Sequence, residues 1–506
     1  PLLRAVVGDD DLTLAALAEA EAAGLVGTEE LLGGRQFAHA LIRDAAYDGL
    51  TASAQVARHG EIVTALEALP DRDRRLAELA HHATRAVALV GVDQAVHYNQ
   101  AAAGLAADEL AFEEAATHYQ TALDLLDQAD QTATGRYCDL QIALTESLYR
   151  SGLNEAGTEA LLAAAATARH LGDGDRLAGA VLAGGQRGGV AQFWQPDSVN
   201  HVSLDREALA ALGSEDTPAR ALLLADHGER LWRVGSYQEA ERAGREALAM
   251  ARRLGDDDTL RRVLLATYNT LQRADNLEDR IRLWGDELIE ASYRAGDLEA
   301  ANRALRFRAH CFMESGELDR AEADLTEAQR LLDAIRLPEF ALYLTVSRSC
   351  LAATRGRLDE AERLIGELTA YAGTTSETVF QVMTGFPLAS LWWQQGRLGD
   401  LRTSIETLIE DQPEMAERIK VPIALAYAEA GDVAAADRLL EELATEVAVL
   451  PRDGYWLMSM TTLAHTAVWT GNAEAAAVIE SAIEPYADRI ATPGFWSMGP
   501  VATALG

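Results

Sequence analysis

The stretch GRLDEAERL (Gly356–Leu364) has a near copy, GELDRAEADL, that begins forty residues earlier at Gly316. Weaker copies begin at Gly235 (GSYQEAERA), Gly431 (GDVAAADRLL) and Gly471 (GNAEAAAVIE). In the clearest copies an apolar residue follows the glycine by two positions and an alanine by five, with further apolar residues at nine and at twelve or thirteen. That spacing fits one face of a 3.6-residue period, so each copy predicts a glycine turn followed by an amphipathic helix. Gly235 can take the left-handed conformation that ends a preceding helix. Ser236 and Glu239 form an S-x-x-E capping box, and Tyr237, Ala240, Ala247, Leu248 and Ala251 share a face.

Working outward, clear turns fall at Gly235, Gly316, Gly356, Gly396, Gly431 and Gly471, and degenerate ones at Leu110, Ser151 and Asp275. One double step separates Ser151 from Gly235. About twenty residues after the turns come second breaks: LGDGDRL from Leu171, LGDDDTL from Leu254, AGDLEAA from Ala295, RLPEF from Arg336 and LPRDGYW from Leu450. Acidic residues crowd these breaks, where the positive end of the next helix dipole favours them. Helix, glycine turn, helix, acidic or proline turn, repeated, predicts an all-α fold, an α-solenoid of helical hairpins. The recurrent alanines are expected to serve close helix packing and no chemistry.

The chain has 506 residues, 49% hydrophobic and 24% charged, ample for a buried core. Its formal net charge is -35, from 79 acidic and 44 basic residues. A surface of that sign repels phosphate backbones, so direct nucleic-acid contact by these residues is not expected. No apolar run approaches the roughly 18 residues of a membrane helix, and no signal peptide opens the chain, which predicts a soluble, cytoplasmic protein. Cys138, Cys311 and Cys350 sit singly in helical patterns, without a disulfide framework. The opening proline and the closing GPVATALG predict that the chain is a piece of a longer polypeptide.

Residues 1–70 read differently. A helix ending at Gly24, the short apolar pieces LVG and ELL, a turn at Gly33 and Gly34, and RQFAHALIRDAAYDGL, in which a strand runs into a helix, outline a winged-helix segment, with the two glycines supplying positive φ at the hairpin tip. Residues 71–506 form the array, with an irregular stretch near 183–200.

The glycine-turn helices look like the tetratricopeptide repeat, at near forty residues per unit against the usual 34 or so. FAHALIRDAAYDGL (Phe37–Leu50), LAELAHHATRA (Leu76–Ala86) and the run from Ala95 to Leu126 resemble the large bacterial STAND regulators. Ala247–Leu271 and Pro485–Gly506 look like the array of the same proteins. Those regulators carry a P-loop ATPase, a winged helix, a long tetratricopeptide-like array and often a LuxR-type helix-turn-helix. The same core occurs behind class III adenylate cyclase domains. The resemblance implies a non-catalytic, signal-integrating region whose partners are a protein or peptide, or a small-molecule effector, together with the protein's own ATPase domain. It also implies that His39, in F-x-H-x-L-I-R, reaches the phosphates of ADP, and that Arg43, one turn on, shares that role. Otherwise His39 caps the strand-to-helix junction. The only lysine, Lys420, lies in ERIKVP without a glycine loop, so ATP or ADP could enter only through an upstream domain, and this chain itself holds no cofactor.

Other residues invite chemistry. His81, His82 and His97 lack metal-ligand spacing, and neighbours on a helix point about 100 degrees apart, which favours packing over chelation. His310 beside Cys311 fails likewise. The glycine-rich Ala183–Ser198 follows a helix and lacks the G-x-G-x-x-G order, so it reads as an irregular hairpin in which Phe193 and Trp194 could contact a ligand. Trp232, Trp392 and Trp393 precede repeat turns, where they line either the core or a partner-binding groove. Asp257 and Asp258 stand at a predicted helix start, and capping accounts for them. Three functions stay open: a sensor region of a STAND regulator, a free-standing peptide-binding scaffold, and an enzyme hidden near 183–200.

Overall fold

The computed structural model describes residues 2–7, 10–28, 35–185, 199–335, 338–372, 378–411, 419–447 and 452–506. Phe193, Trp194, Gly33 and Gly34 lie outside them. The described residues are overwhelmingly helical, and no helix among them is long and apolar enough to cross a membrane. The chain divides into two compact units, Pro1–Arg187 and Gly188–Gly506.

The first unit opens with helices Leu2–Val7 and Asp10–Ala22 and an antiparallel pair of strands, β1 (Val26–Thr28) and β2 (Arg35–Phe37), with Val26 opposite Phe37. Helices Ala40–Asp48 and Ala52–Glu67 follow, then Leu76–Arg85. Beyond these come the helices Val92–Asp108, Phe112–Gln128, Gly135–Arg150, Asn154–Leu171 and Gly174–Gly185. Their shared core contains Val63, Leu66, Leu79, Ala95, Leu123, Leu126 and Leu140. At the degenerate turn between Val92–Asp108 and Phe112–Gln128, Leu110 itself takes φ 63, the left-handed backbone that glycine takes at 152 with φ 80. A leucine there costs about 1–2 kcal/mol, which the packed hairpin offsets.

In the second unit, helix Val199–Leu212 precedes a run of hairpins. Their first helices are Pro218–Arg233, Asp257–Leu271, Leu298–Glu314, Pro338–Thr354, Thr378–Gln394, Lys420–Glu429 and Trp456–Thr470. Each first helix packs on the second helix of its hairpin and on neighbouring first helices. Ala240, Ala321, Ala361 and Ala436, the alanines five positions after the turn glycines, are completely buried. A larger side chain there would push paired helices apart. Gly235, Gly316, Gly356, Gly396, Gly431 and Gly471 all have positive φ, as the turns require.

Two local expectations need correction. Ser236 stands at the N-cap but its side chain caps nothing. Its backbone N–H is already donated to Leu231 O at 2.9 Å, closing the preceding helix, so Glu239 cannot complete a capping box and pairs with Arg206 instead. Asp257 and Asp258 lie inside the first turn of their helix, and the cap is Asp256, which accepts from Thr259 N at 2.9 Å. Asp297, Asp432 and Asn472 cap in the same way.

Candidate functional site: the first-helix face of the second unit

After the last hairpin the chain makes a single 3-10 turn, Glu484–Tyr486, and then runs without helix until Val501. Residues 487–500 fold back on themselves: Ala491 N donates to Gly499 O at 2.9 Å, Met498 N to Ala491 O at 3.0 Å, and Ile490 bridges Pro500. The tip, Pro493–Phe495, is held by Thr492, whose hydroxyl donates to Trp496 O at 2.7 Å and accepts from Gly494 N at 3.0 Å.

This loop is seated across successive first helices. Ile490 N donates to Glu314 O at 2.9 Å, and Arg489 reaches Glu314 Oε1 at 2.9 Å. Gly494 presses on His310 so closely that a Cβ on it would lie 2.1 Å from the imidazole Cγ. Thr492 meets Cys350, and Ser497 exchanges two hydrogen bonds with Ser390, at 3.1 and 3.2 Å. Phe495 sits 5.0 Å from Phe386 and 5.7 Å from Tyr455, ring centre to ring centre. Ala491, Thr492, Trp496, Ser497 and Met498 are buried. The seat thus combines polar anchors with an aromatic run, the mixture by which extended segments are recognised.

Beyond the loop lies a polar patch on the helices Pro218–Arg233 and Asp257–Leu271. Asp205 pairs with His227 at 3.1 Å and with Arg230. Glu229 accepts from Asn269 at 3.2 Å and Thr270 at 3.4 Å, and burial raises its carboxyl pKa. Burial pushes Asp226 up to about 6, and its Oδ2 is enclosed with no hydrogen-bond partner among the described residues. Burial likewise raises Asp453 to about 6. His310, pushed down to about 3 by burial, is a neutral ring bonded to Ser347 Oγ at 2.8 Å. The three cysteines are buried, with thiols raised to about 11 or 12.

Among the residues singled out in the sequence, Trp232 is buried beside Tyr455, 5.9 Å between ring centres, and so adjoins the seat through that tyrosine. Trp393 lies 4.8 Å from His465, ring centre to ring centre, and Trp392 lies under Arg397 at 4.9 Å. These rings are engaged within the array. His39 and Arg43 belong to the first unit and are exposed. His39 stands at the N-cap of Ala40–Asp48 without a side-chain cap bond, and Arg43 pairs with Asp44. His97 lies against Tyr98, whereas His81 and His82 meet His59. The loop 487–500 was not singled out as a site, because its glycines and aromatics follow no period.

No family model matches the chain, and no curated protein matches it. Solved structures that resemble it include a Rap protein complexed with Competence and Sporulation Factor, at 14% identity over 67% of this chain and 96% of that one, TM-score 0.38. A STAND protein with a tetratricopeptide repeat sensor from Pyrococcus horikoshii is 13% identical over 81% of this chain and 60% of that one, TM-score 0.30. A circular tandem repeat protein with novel repeat topology is 14% identical over 96% of this chain and 92% of that one, TM-score 0.13.

Proposed function

We propose that the chain is the non-catalytic sensor and protein-interaction region of a STAND-type signalling regulator, and that its second unit receives an extended peptide on the first-helix face. The observation that carries this reading is the seat of residues 487–500, a non-helical segment of the chain's own that places a cation on Glu314 and aromatic rings against Phe386 and Tyr455. A partner segment bearing a basic residue and an aromatic one would meet the same groups by displacing this loop. In this reading residues 1–70 are the winged helix, His39 and Arg43 face the nucleotide of a preceding ATPase domain, and a separate LuxR-type domain controls transcription. A cyclase as the output, or a free-standing scaffold, are the alternatives, and the sequence flanking these residues in the reading frame separates them.

The test is to pan a displayed library of random linear peptides on the purified chain and follow hydrogen exchange over 486–500 as recovered peptides bind. Loss of protection there is expected. Recovery of no binder, or binders that leave the loop protected, would remove the peptide-receiving role. For the regulatory part, nucleotide turnover of the full-length protein should change when residues 199–506 are deleted; an unchanged rate and output would refute it.

A further inference from the structure

Among the described residues, the imidazoles of His59, His81 and His82 form the one group of three or more potential metal ligands that converge, each offering an atom within 4.8 Å of the others. His59 comes from the helix Ala52–Glu67 and the pair from Leu76–Arg85, so two helices supply the set. Adjacent side chains on a helix diverge by about 100 degrees, which prevents them from chelating alone. Here the third ring faces the divergence: the His59 ring centre lies 4.9 Å from that of His82 and 5.9 Å from that of His81.

We propose that these three histidines bind a zinc ion that ties the helix Ala52–Glu67 to the helix Leu76–Arg85, leaving the fourth coordination position open toward solvent. Zinc takes imidazole nitrogens at about 2.0–2.1 Å in tetrahedral sites, which sets nitrogens about 3.3 Å apart. His59 Nδ1 and His82 Nδ1 are 2.7 Å apart, so the pair must spread slightly while the third ring moves in. Ring rotations of this size leave both helices in place. With both Nδ1 atoms on the ion, each of these rings carries its proton on Nε2, and that of His59 is donated to Tyr47 Oη, 3.0 Å away. Such an outer hydrogen bond orients a ligating imidazole and raises its basicity. Tyr47 is in turn fixed by Gln55, whose amide donates to its carbonyl at 3.0 Å. His59 is buried, His82 half-buried and His81 exposed, which makes the outer ring the entry side. The donor set is three nitrogens without an oxygen, which suits zinc and excludes calcium or magnesium as the preferred ion. Arg85 lies close enough to His59 to disfavour added positive charge, so affinity rests on the ligand bonds and not on a local acidic field.

The experiment is calorimetric titration of the chelator-treated chain with Zn2+, alongside the visible absorption of Co2+ as a tetrahedral reporter. One equivalent should bind, a cobalt spectrum of tetrahedral type should appear, and zinc should raise the melting temperature. His81→Ala, whose ring is exposed and whose loss should leave the fold intact, is expected to weaken binding by about 100-fold or more and to abolish the thermal shift. His82→Ala should do the same, and His97→Ala should bind as the parent does. Three results would overturn the site: no saturable binding near one equivalent, unaltered affinity in both His81→Ala and His82→Ala, or displacement of zinc by excess Mg2+, which would place the ion on surface carboxylates.

Discussion

Replacing Gly494 by alanine should lift the loop 487–500 from its seat while the hairpins stay folded. Gly494 has φ 95, where a side chain costs about 1–2 kcal/mol. Its added Cβ would also lie 2.1 Å from His310 Cγ, 2.2 Å from Cδ2 and 2.5 Å from Nδ1, and overpacking of this kind costs about 1–3 kcal/mol. His310 cannot swing away freely, because it is enclosed and bonded to Ser347. The combined penalty, about 2–5 kcal/mol, falls on a segment held by a handful of hydrogen bonds and aromatic contacts. At about 1.4 kcal/mol per factor of ten, the open population of the loop rises by tens to thousands of times. Amide exchange measured by mass spectrometry should therefore accelerate across 487–500 and remain slow in the helices Leu298–Glu314 and Pro338–Thr354. Gly499 supplies the control: its φ is 80 but nothing lies within 4 Å of an added Cβ, so Gly499→Ala carries the backbone strain alone. Trimming the obstructing ring in Gly494→Ala/His310→Ala should recover part of the protection, a coupling expected only for groups in contact. If Gly494→Ala exchanged no faster over 487–500 than Gly499→Ala, the tip would not be wedged on His310 and the seat would be misassigned.

Asp226→Asn should stabilise the second unit in alkaline but not in acid solution. The folded pKa of Asp226, about 6, lies above its ordinary 3.8, so the charged form is penalised above pH 6 and the penalty vanishes below about pH 4. Melting temperatures at pH 8 should rise by the equivalent of up to about 3 kcal/mol and at pH 4 by almost nothing; equal shifts would contradict the burial of that charge. Glu314→Gln should destabilise the unit by about 3–5 kcal/mol in denaturant titrations, because Arg280, 4% exposed and 2.5 Å from Glu314 Oε2, would keep a buried charge without its counterion. A change below about 1 kcal/mol would mean that water reaches this pair.

The hairpins were legible because their determinants are local. A turn glycine, an alanine five residues on and an acidic cap about twenty residues after the glycine act within one repeat, as at Gly235, Ala240 and Asp256. The division of the chain inside the glycine-rich stretch was foreshadowed only as an irregularity in the forty-residue step. The Ser236 cap was misread for a reason that is also local but conformational. The two helices share a turn so short that the serine N–H serves the first helix and is lost to the second.

The two sites were hidden for a different reason: each is made by side chains that only the packing of helices brings together. Arg489 meets Glu314 and Ala274, partners 175 and 215 positions earlier, and no periodicity links a loop to helices at that separation. His59 and His82 are 23 positions apart on separate helices, so spacing rules written for ligands on one helix pass over them. A sequence signal did exist for the loop. After the last repeat turn, TPGFWS places a glycine and two aromatic rings in a stretch with no helical period, and exposed aromatic rings would be out of place in a segment facing water. A solenoid needs no aromatic linker to stack its repeats, since neighbouring hairpins bury one another. Phe495 and Trp496 are therefore explained by what they press against on the first-helix face, and that same face is the surface a partner would have to win from them.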